Sequence, residues 1–408
     1  MHTSGADATL PKVHKIMTVA GRMQAVTSAQ PSVLVYSGQM FEAHRPSEPA
    51  LQQRIASAVD KLGPSEAFGP LACGADILIA ETILARGGML HVVLPFCEED
   101  FIEQSVRCGG ESWVERYRRC RERCDSIHFA TPGQYVDDDH QFAYCSRLAM
   151  GLASLRAREI GREAVQLAVI SSSSRTFSKT GLAGTAADIR VWNGLGHRTV
   201  TVEAGDLSRN LAFPPPGPPL YDARREVRSI LFADYKGFSL LGERQLPVFM
   251  RTVMGRIGEV LDDYGEHVEF RNTWGDALYA IIDEPVVAAR IALALQLRLA
   301  DMPPELSVAG SGAGMRIGLH FGPIYVGVDR VTRAPLWYGG EVNRTARIEP
   351  VTPVGDVYCT EAFAAALQVE GRSNCEFKSI GKHPLPKGFG EVALYRLMRS
   401  GHTEPGLS

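Results

Sequence analysis

The segment Phe213-Pro214-Pro215-Pro216-Gly217-Pro218-Pro219 restricts the fold more than any other stretch. Five prolines occupy the six positions 214–219. Proline fixes φ at about −65° and removes the backbone N–H, so neither a helix nor an inner strand can pass through. The run reads as a stiff, extended spacer, with a separate body on each side. The expected organisation is a largely disordered leader over 1–30, a first domain over 31–210, the spacer over 211–223, a second domain over 224–398, and a tail over 399–408. At 408 residues the chain is long enough for two domains or three.

Beyond the spacer, residues 227–241 read VRSILFADYKGFSLL. An apolar run from Ile230 to Ala233 has the length and composition of a buried strand, and Asp234 stands at its end. Gly237 permits a tight turn, and Ser239 reads as the N-cap of a following helix. That helix would place Leu246, Phe249, Met250, Val253, Met254, Ile257, Val260 and Leu261 on one stripe. An acid at a strand tip beside a helix N-terminus suits a cation next to a phosphate, which the N–H groups of Gly237, Phe238 and Ser239 would face. Residues 269–282, EFRNTWGDALYAII, read as two strands joined at Trp274-Gly275, with Asp276 just after. One carboxylate on each of two neighbouring strands suits a pair of divalent ions. Residues 285–299 read as a second amphipathic helix, and 315–328 as a strand pair. The order is βαββαβ, a ferredoxin-like sheet with helices on one face.

The first domain alternates strand and helix: strands at 33–36, 90–94, 166–170 and 198–202, and helices at 51–62, 76–86, 111–123, 142–158 and 185–192. This pattern predicts a Rossmann-like, doubly wound parallel sheet. The fold class expected for the whole chain is therefore α/β followed by α+β. A net charge of −3 and a pI near 6.4 argue against a nucleic-acid polymer as partner. No apolar run reaches membrane-spanning length and no signal-peptide pattern is present, so a cytoplasmic protein without a membrane is expected. Eight cysteines without a C-x-x-C pair read as reduced thiols.

The ordered pieces LFADYKGF, the TWGD hairpin, RIGLHFGPIYVG, YGGEVNRTARIE and LPKGFGEVALYRL resemble the class III nucleotidyl cyclase catalytic domain over most of residues 226–398. The resemblance implies an enzyme, a phosphorus–oxygen lyase that closes a nucleoside triphosphate to a 3′,5′-cyclic nucleotide with release of pyrophosphate. It implies Asp234 and Asp276 as ligands of two Mg²⁺ or Mn²⁺ ions, with the Tyr235 carbonyl as a main-chain ligand. Asn343 and Arg347 match the pair that positions the ribose and stabilises the transition state, and Lys387 matches a triphosphate contact. Asn343 and Arg347 are four apart, so on a helix they share a face. The family builds each site from two chains, which implies a homodimer with two equivalent sites.

The chain departs from the family where the base is read. Asn272 and Leu336 hold the two positions that face the base in relatives, and neither matches the adenine or the guanine pattern. ATP is the default substrate, with GTP, CTP and UTP as alternatives, and Asn272 is expected to face the base. Pro323 replaces a phosphate-binding Arg of some relatives. A catalytically weak nucleotide-binding signalling module is the alternative for the domain as a whole. A diguanylate-cyclase-like reading is discounted because Gly339-Gly340-Glu341 continues as Val-Asn.

Residues 33–38, GADILIAE at 74–81 with the following LPF, and Gly184-Thr185 make the first domain similar to the DprA/LOG-like (SLOG) Rossmannoid group. This implies a sensor domain. The helix start at Gly74, Ala75 and Asp76 is the expected seat of a nucleotide-like regulatory ligand, against a ligand-free scaffold. Other residues are assigned plain roles. His320 reads as a packed core histidine, and Asp137–Asp139 as a solvated turn. Ser171–Ser174 reads as loop. Cys120, Cys124 and His128 lack a fourth partner for a metal stripe. Glu81 and Glu98 form no catalytic set.

Overall fold

The computed structural model describes residues 32–171, 180–205, 211–214, 224–301, 306, 314–371 and 375–400. The expected leader, most of Ser171–Ser174, the spacer beyond Pro214 and the end of the tail lie outside the described residues.

The first unit runs β1 (Val33–Gly38), α1 (Glu48–Leu62), β2 (Glu66–Gly69), α2 (Ala75–Ala85), β3 (Met89–Leu94), α3 (Glu98–Phe101), α4 (Glu111–Arg123), β4 (Ser126–Phe129), α5 (Asp139–Glu159), β5 (Ala164–Ile170), α6 (Thr185–Gly194) and β6 (Thr199–Glu203). All pairs are parallel, in the order β4-β3-β2-β1-β5-β6. Both faces of such a sheet are covered by helices, which is why β1 and β5 are near-continuous apolar runs. The strand order reverses between β1 and β5, so a crevice forms at their carboxyl ends.

Sequence reading missed β2 and β4. At four residues each, EAFG and SIHF, they are too short and mixed to show a period. Cys120 lies on α4, Cys124 just past it and His128 on β4, so the three do not share a helix face. Asp138 caps α5, accepting the His140 N–H at 3.0 Å.

The second unit comprises β7 (Arg224–Lys236), α7 (Leu246–Phe249), α8 (Gly255–Asp263), β8 (Val268–Trp274), β9 (Ala277–Ile282), α9 (Pro285–Arg298), β10 (Gly314–Val328), β11 (Pro335–Tyr338), α10 (Gly340–Thr345), β12 (Val357–Thr360), α11 (Glu361–Glu370), β13 (Cys375–Pro384) and β14 (Glu391–Arg399). The strand order is β13-β14-β12-β10-β7-β9-β8, with β11 folded back on β10. Its segment β10-β7-β9-β8 is the βαββαβ order expected from sequence.

Two local expectations are corrected. Residues 315–328 form one strand, not a pair, because β10 stays paired with β7 without a break from Gly314 to Val326. Ser239 does not cap a helix. Phe238–Leu240 is a short 3₁₀ turn, and the helix begins only at Leu246. A π-helical turn, Met250–Met254, joins α7 to α8. The extra residue rotates the stripe, so Phe249, Val253, Ile257, Val260 and Leu261 are buried while Met250 is exposed.

The two units pack together. The apolar cluster holding Tyr144, Leu148 and Met150 of α5 also holds Phe363 and Ala365 of α11. At the crossing, a Cβ on Gly151 would lie 2.4 Å from the Ala365 carbonyl oxygen. The buried Tyr144 hydroxyl donates to the Phe321 carbonyl of β10 at 2.7 Å. Arg158 donates to Gln368 at 2.9 Å, and His197 Nε2 lies 2.9 Å from the Val369 carbonyl. Ion pairs His128–Glu361 at 3.4 Å and Arg225–Asp138 at 3.5 Å flank the seam. Among the described residues, no helix is long and apolar enough to cross a membrane.

Candidate active site

β7 delivers Asp234 near its end. Tyr235, the next residue, turns its ring into the core, 5.2 Å from Phe249, and Phe238 lies 4.9 Å from the same ring. Gly237 makes the turn between them at φ 107°, which glycine adopts without strain. These contacts fix the strand tip. Asp276 sits in the tight turn between β8 and β9, beside Gly275 at φ 63°. β9 is the neighbour of β7, with Ala233 opposite Leu278, so the turn carries Asp276 to Asp234.

The Asp234 charge bears on Asp276. Burial, then the charge of Asp234, pushes the Asp276 carboxyl up to about 6. Arg316 stands directly across from Asp234 on β10 and reaches its Oδ2 at 2.5 Å. The same guanidinium nitrogen lies 2.7 Å from Glu349. Burial raises the Glu349 carboxyl to about 7, with Arg316 opposing and Asp234 and Asp276 adding. Arg316 and Glu349 belong to the site, and sequence reading gave them no role. Arg316 sits inside the quoted RIGLHFG piece, but a partner across the sheet is invisible along the chain.

Two carboxylates of hard oxygen, held together at the ends of neighbouring strands, fit Mg²⁺ or Mn²⁺. Mg²⁺ is commonly held by one or two carboxylates plus substrate phosphates. Among the described residues no group of three or more His, Cys, Asp or Glu forms a ligand cage.

The second half of the site surrounds α10. That helix ends at Thr345, so Arg347 lies in the turn beyond and not four along one helix from Asn343, as expected. The turn stays nearly helical, with the Arg347 N–H donating to the Arg344 carbonyl at 2.9 Å. Asn343 is exposed. The Arg347 guanidinium lies 5.8 Å from the Phe389 ring, in the loop that carries Lys387. Lys387 is itself at φ 62°, a left-handed conformation costly for a residue with a Cβ.

α10 is anchored by His320, which is buried but chemically engaged. Its Nδ1 meets Thr360 Oγ1 at 2.8 Å, and its Nε2 meets Glu341 of α10 at 2.9 Å. Burial opposes ionisation of Glu341, yet His320, Arg344 and Arg225 together hold its carboxyl below the usual range. Gly322 makes room, since a Cβ there would lie 2.8 Å from His320 Nε2.

Among the described residues, Asn343, Arg347 and Lys387 make no hydrogen bond, ion pair or ring contact with Asp234 or Asp276. Ser239 and Asn272 are exposed, and Asn272 Oδ1 accepts the Thr273 N–H at 2.9 Å. Leu336 is half-buried on β11.

In the first unit, Gly74, Ala75 and Asp76 do not form the open anion seat expected from sequence. They are buried, and the Ala75 N–H is spent on the Gln39 carbonyl at 3.0 Å. Asp76 Oδ1 is buried without a hydrogen-bond partner, and burial pushes its carboxyl well above the usual range.

Residues 220–399 match the model of the adenylate and guanylate cyclase catalytic domain. The matched residues make up less than half of the 408-residue chain. The chain is similar to the adenylate cyclase of Schizosaccharomyces pombe (strain 972 / ATCC 24843), 30% identical over 163 residues, covering 34% of this chain and 9% of the relative. It is also similar to the receptor-type adenylate cyclase ESAG 4 of Trypanosoma brucei brucei, 33% identical over 95 residues, covering 23% of this chain and 8% of the relative. The chain spans about a quarter or less of the length of such curated relatives. A solved guanylate cyclase domain of RhGC from Catenaria anguillulae, in complex with GTP, is 17% identical with a TM-score of 0.37, covering 43% of this chain and 99% of that one.

Proposed function

We propose that the protein is a nucleotidyl cyclase that converts a nucleoside triphosphate, ATP by default, to its 3′,5′-cyclic monophosphate and pyrophosphate. The observation that carries this reading is the crowding of Asp234 and Asp276 at neighbouring strand ends, inside a matched cyclase domain. In the reaction the 3′-oxygen bonds to the α-phosphorus, the bond from that phosphorus to the β-phosphate oxygen breaks, and the hydroxyl proton passes to water. Two bound Mg²⁺ or Mn²⁺ ions would acidify the hydroxyl and neutralise phosphate charge. Asp234, Asp276 and the Tyr235 carbonyl would hold them. The turn Gly237-Phe238-Ser239 would face the phosphates.

Asn343 orients the ribose, Arg347 meets the charge that develops on phosphorus, and Lys387 binds the triphosphate. The lack of contact between these three and the carboxylates within one chain supports a site completed by a second copy, hence a homodimer. Asn272 and Leu336 face the base. Asn272 Oδ1 is engaged by the Thr273 N–H, which leaves its amide NH₂ as the group to read a base acceptor. Regulation enters through the first unit by way of α5, which packs on α11 and holds the β10 backbone at Phe321.

The test is incubation of the purified full chain with Mn²⁺ or Mg²⁺ and each of the four ribonucleoside triphosphates, with products resolved by mass spectrometry. A cyclic nucleotide that disappears in Asp234→Ala is expected. Tight triphosphate binding with no cyclic product would favour the signalling-module alternative.

A further inference from the structure

We infer that Arg316 and Glu349 form a handover pair for the cation site: Arg316 neutralises Asp234 before a cation arrives, and Glu349 receives Arg316 when Asp234 is released. The inference rests on reading Asp234 and Asp276 as the cation site.

Three observations carry it. First, one terminal nitrogen of Arg316 donates to Asp234 Oδ2 at 2.5 Å and lies 2.7 Å from Glu349 Oε1, which is buried without a hydrogen-bond partner. A guanidinium is built to grip one carboxylate with two parallel N–H groups, and sharing one nitrogen between two acids leaves that grip unused. Second, Arg316 Nε is buried and has no hydrogen-bond partner. A small rotation onto Glu349 would let Nε and the terminal nitrogen bind that carboxylate as a fork. An orphaned buried donor is costly, so the shared arrangement has an alternative close by. Third, the backbone is shaped to bring Glu349 in. Gly318 lies two residues along β10 from Arg316, and a Cβ there would stand 2.9 Å from the Glu349 N and 3.0 Å from Ile348 Cβ. Any larger residue would push the 348–349 turn, and Glu349 with it, away from Arg316.

The energetic logic follows from charge. A cation at Asp234 and Asp276 repels a guanidinium held 2.5 Å from the same carboxylate. Without another anion within reach, Arg316 must either stay and compete or be left buried and unpaired. Glu349 removes that conflict. It is a positioning residue, acting on Asp234 through Arg316.

The test is Mn²⁺ binding to the full-length protein without nucleotide, read as free Mn²⁺ by electron paramagnetic resonance. Glu349→Gln should weaken Asp234-dependent Mn²⁺ binding by about 10- to 100-fold, as loss of outer partners does elsewhere. Arg316→Gln should bind Mn²⁺ at least as tightly as wild type. In the Arg316→Gln background, adding Glu349→Gln should change nothing. A Glu349→Gln effect that persists in that background means a plain field effect and overturns the handover, as does a Glu349→Gln protein that binds like wild type. If Arg316→Gln does not fold, as judged by circular dichroism, Arg316→Lys replaces it: a single ammonium cannot fork, so the Glu349→Gln effect should shrink, and an undiminished effect counts against the handover. Wild-type binding no tighter than Asp234→Ala would instead refute the cation site itself, a different failure.

Discussion

His320 and Glu341 show how a buried pair can serve a site it does not touch. The pair ties β10 to the helix that carries Asn343. Replacing His320 by Leu leaves the Glu341 carboxylate buried opposite an apolar side chain, at a cost of about 3–5 kcal/mol. Urea unfolding of His320→Leu should show that loss, with most of it recovered in His320→Leu/Glu341→Leu. Arg347→Ala should leave stability within about 0.5 kcal/mol, as for a half-exposed residue, and lower kcat by roughly 10³-fold or more. At this scale the sequence was readable for position: Asp234 stands near a strand end and Asp276 in a tight turn, as the apolar runs and Trp274-Gly275 predict. It was unreadable where the role depends on a partner across the sheet. His320 looked like filling because Glu341 and Thr360 meet it only after three elements pack.

Among the elements, the crevice between β1 and β5 holds a titrating group. Asp188, in the first turn of α6, is almost wholly buried, and burial raises its carboxyl to about 6, with the hydroxyls of Ser146 and Ser37 opposing. Its folded pKa lies above the unfolded value of about 3.9. The stability it contributes is therefore fully present below about pH 4 and is lost as pH rises through about 6. Relative to Asp188→Asn, the wild type should lose about 1–3 kcal/mol of stability between pH 4 and pH 7, measured by urea unfolding at each pH. Strand–helix alternation made this doubly wound sheet legible, and βαββαβ order made the other sheet legible. What escaped were elements set by their neighbours. β2 and β4 exist because β1 and β3 offer edges to pair with. The π-helical turn at Met250–Met254 re-phases a stripe that spacing alone presents as uniform.

For the whole molecule, the sheet changes between β6 and β7, on either side of the proline run, but that run concealed how closely the two units pack. α5 shows only a mixed Ala- and Leu-rich pattern, because one face lies on the first sheet and the other on α11. Gly151 is the point of closest approach. Gly151→Val would force the helices apart and should destabilise the full chain by about 1–3 kcal/mol in urea unfolding. If control passes along α5, it should also change cyclic-nucleotide output at temperatures where the protein stays folded. The division of the catalytic groups is the larger claim. Asp234 and Asp276 lie together, while Asn343, Arg347 and Lys387 make no contact with them in the same chain. Mixing purified Asp234→Ala with Arg347→Ala, after subunit exchange verified by native mass spectrometry, tests it most directly. Each variant alone should be almost inactive, and the mixture should recover up to about a quarter of wild-type activity, since a random half of the dimers carry one intact site of two. A fully exchanged mixture as inactive as its parents would contradict the shared site.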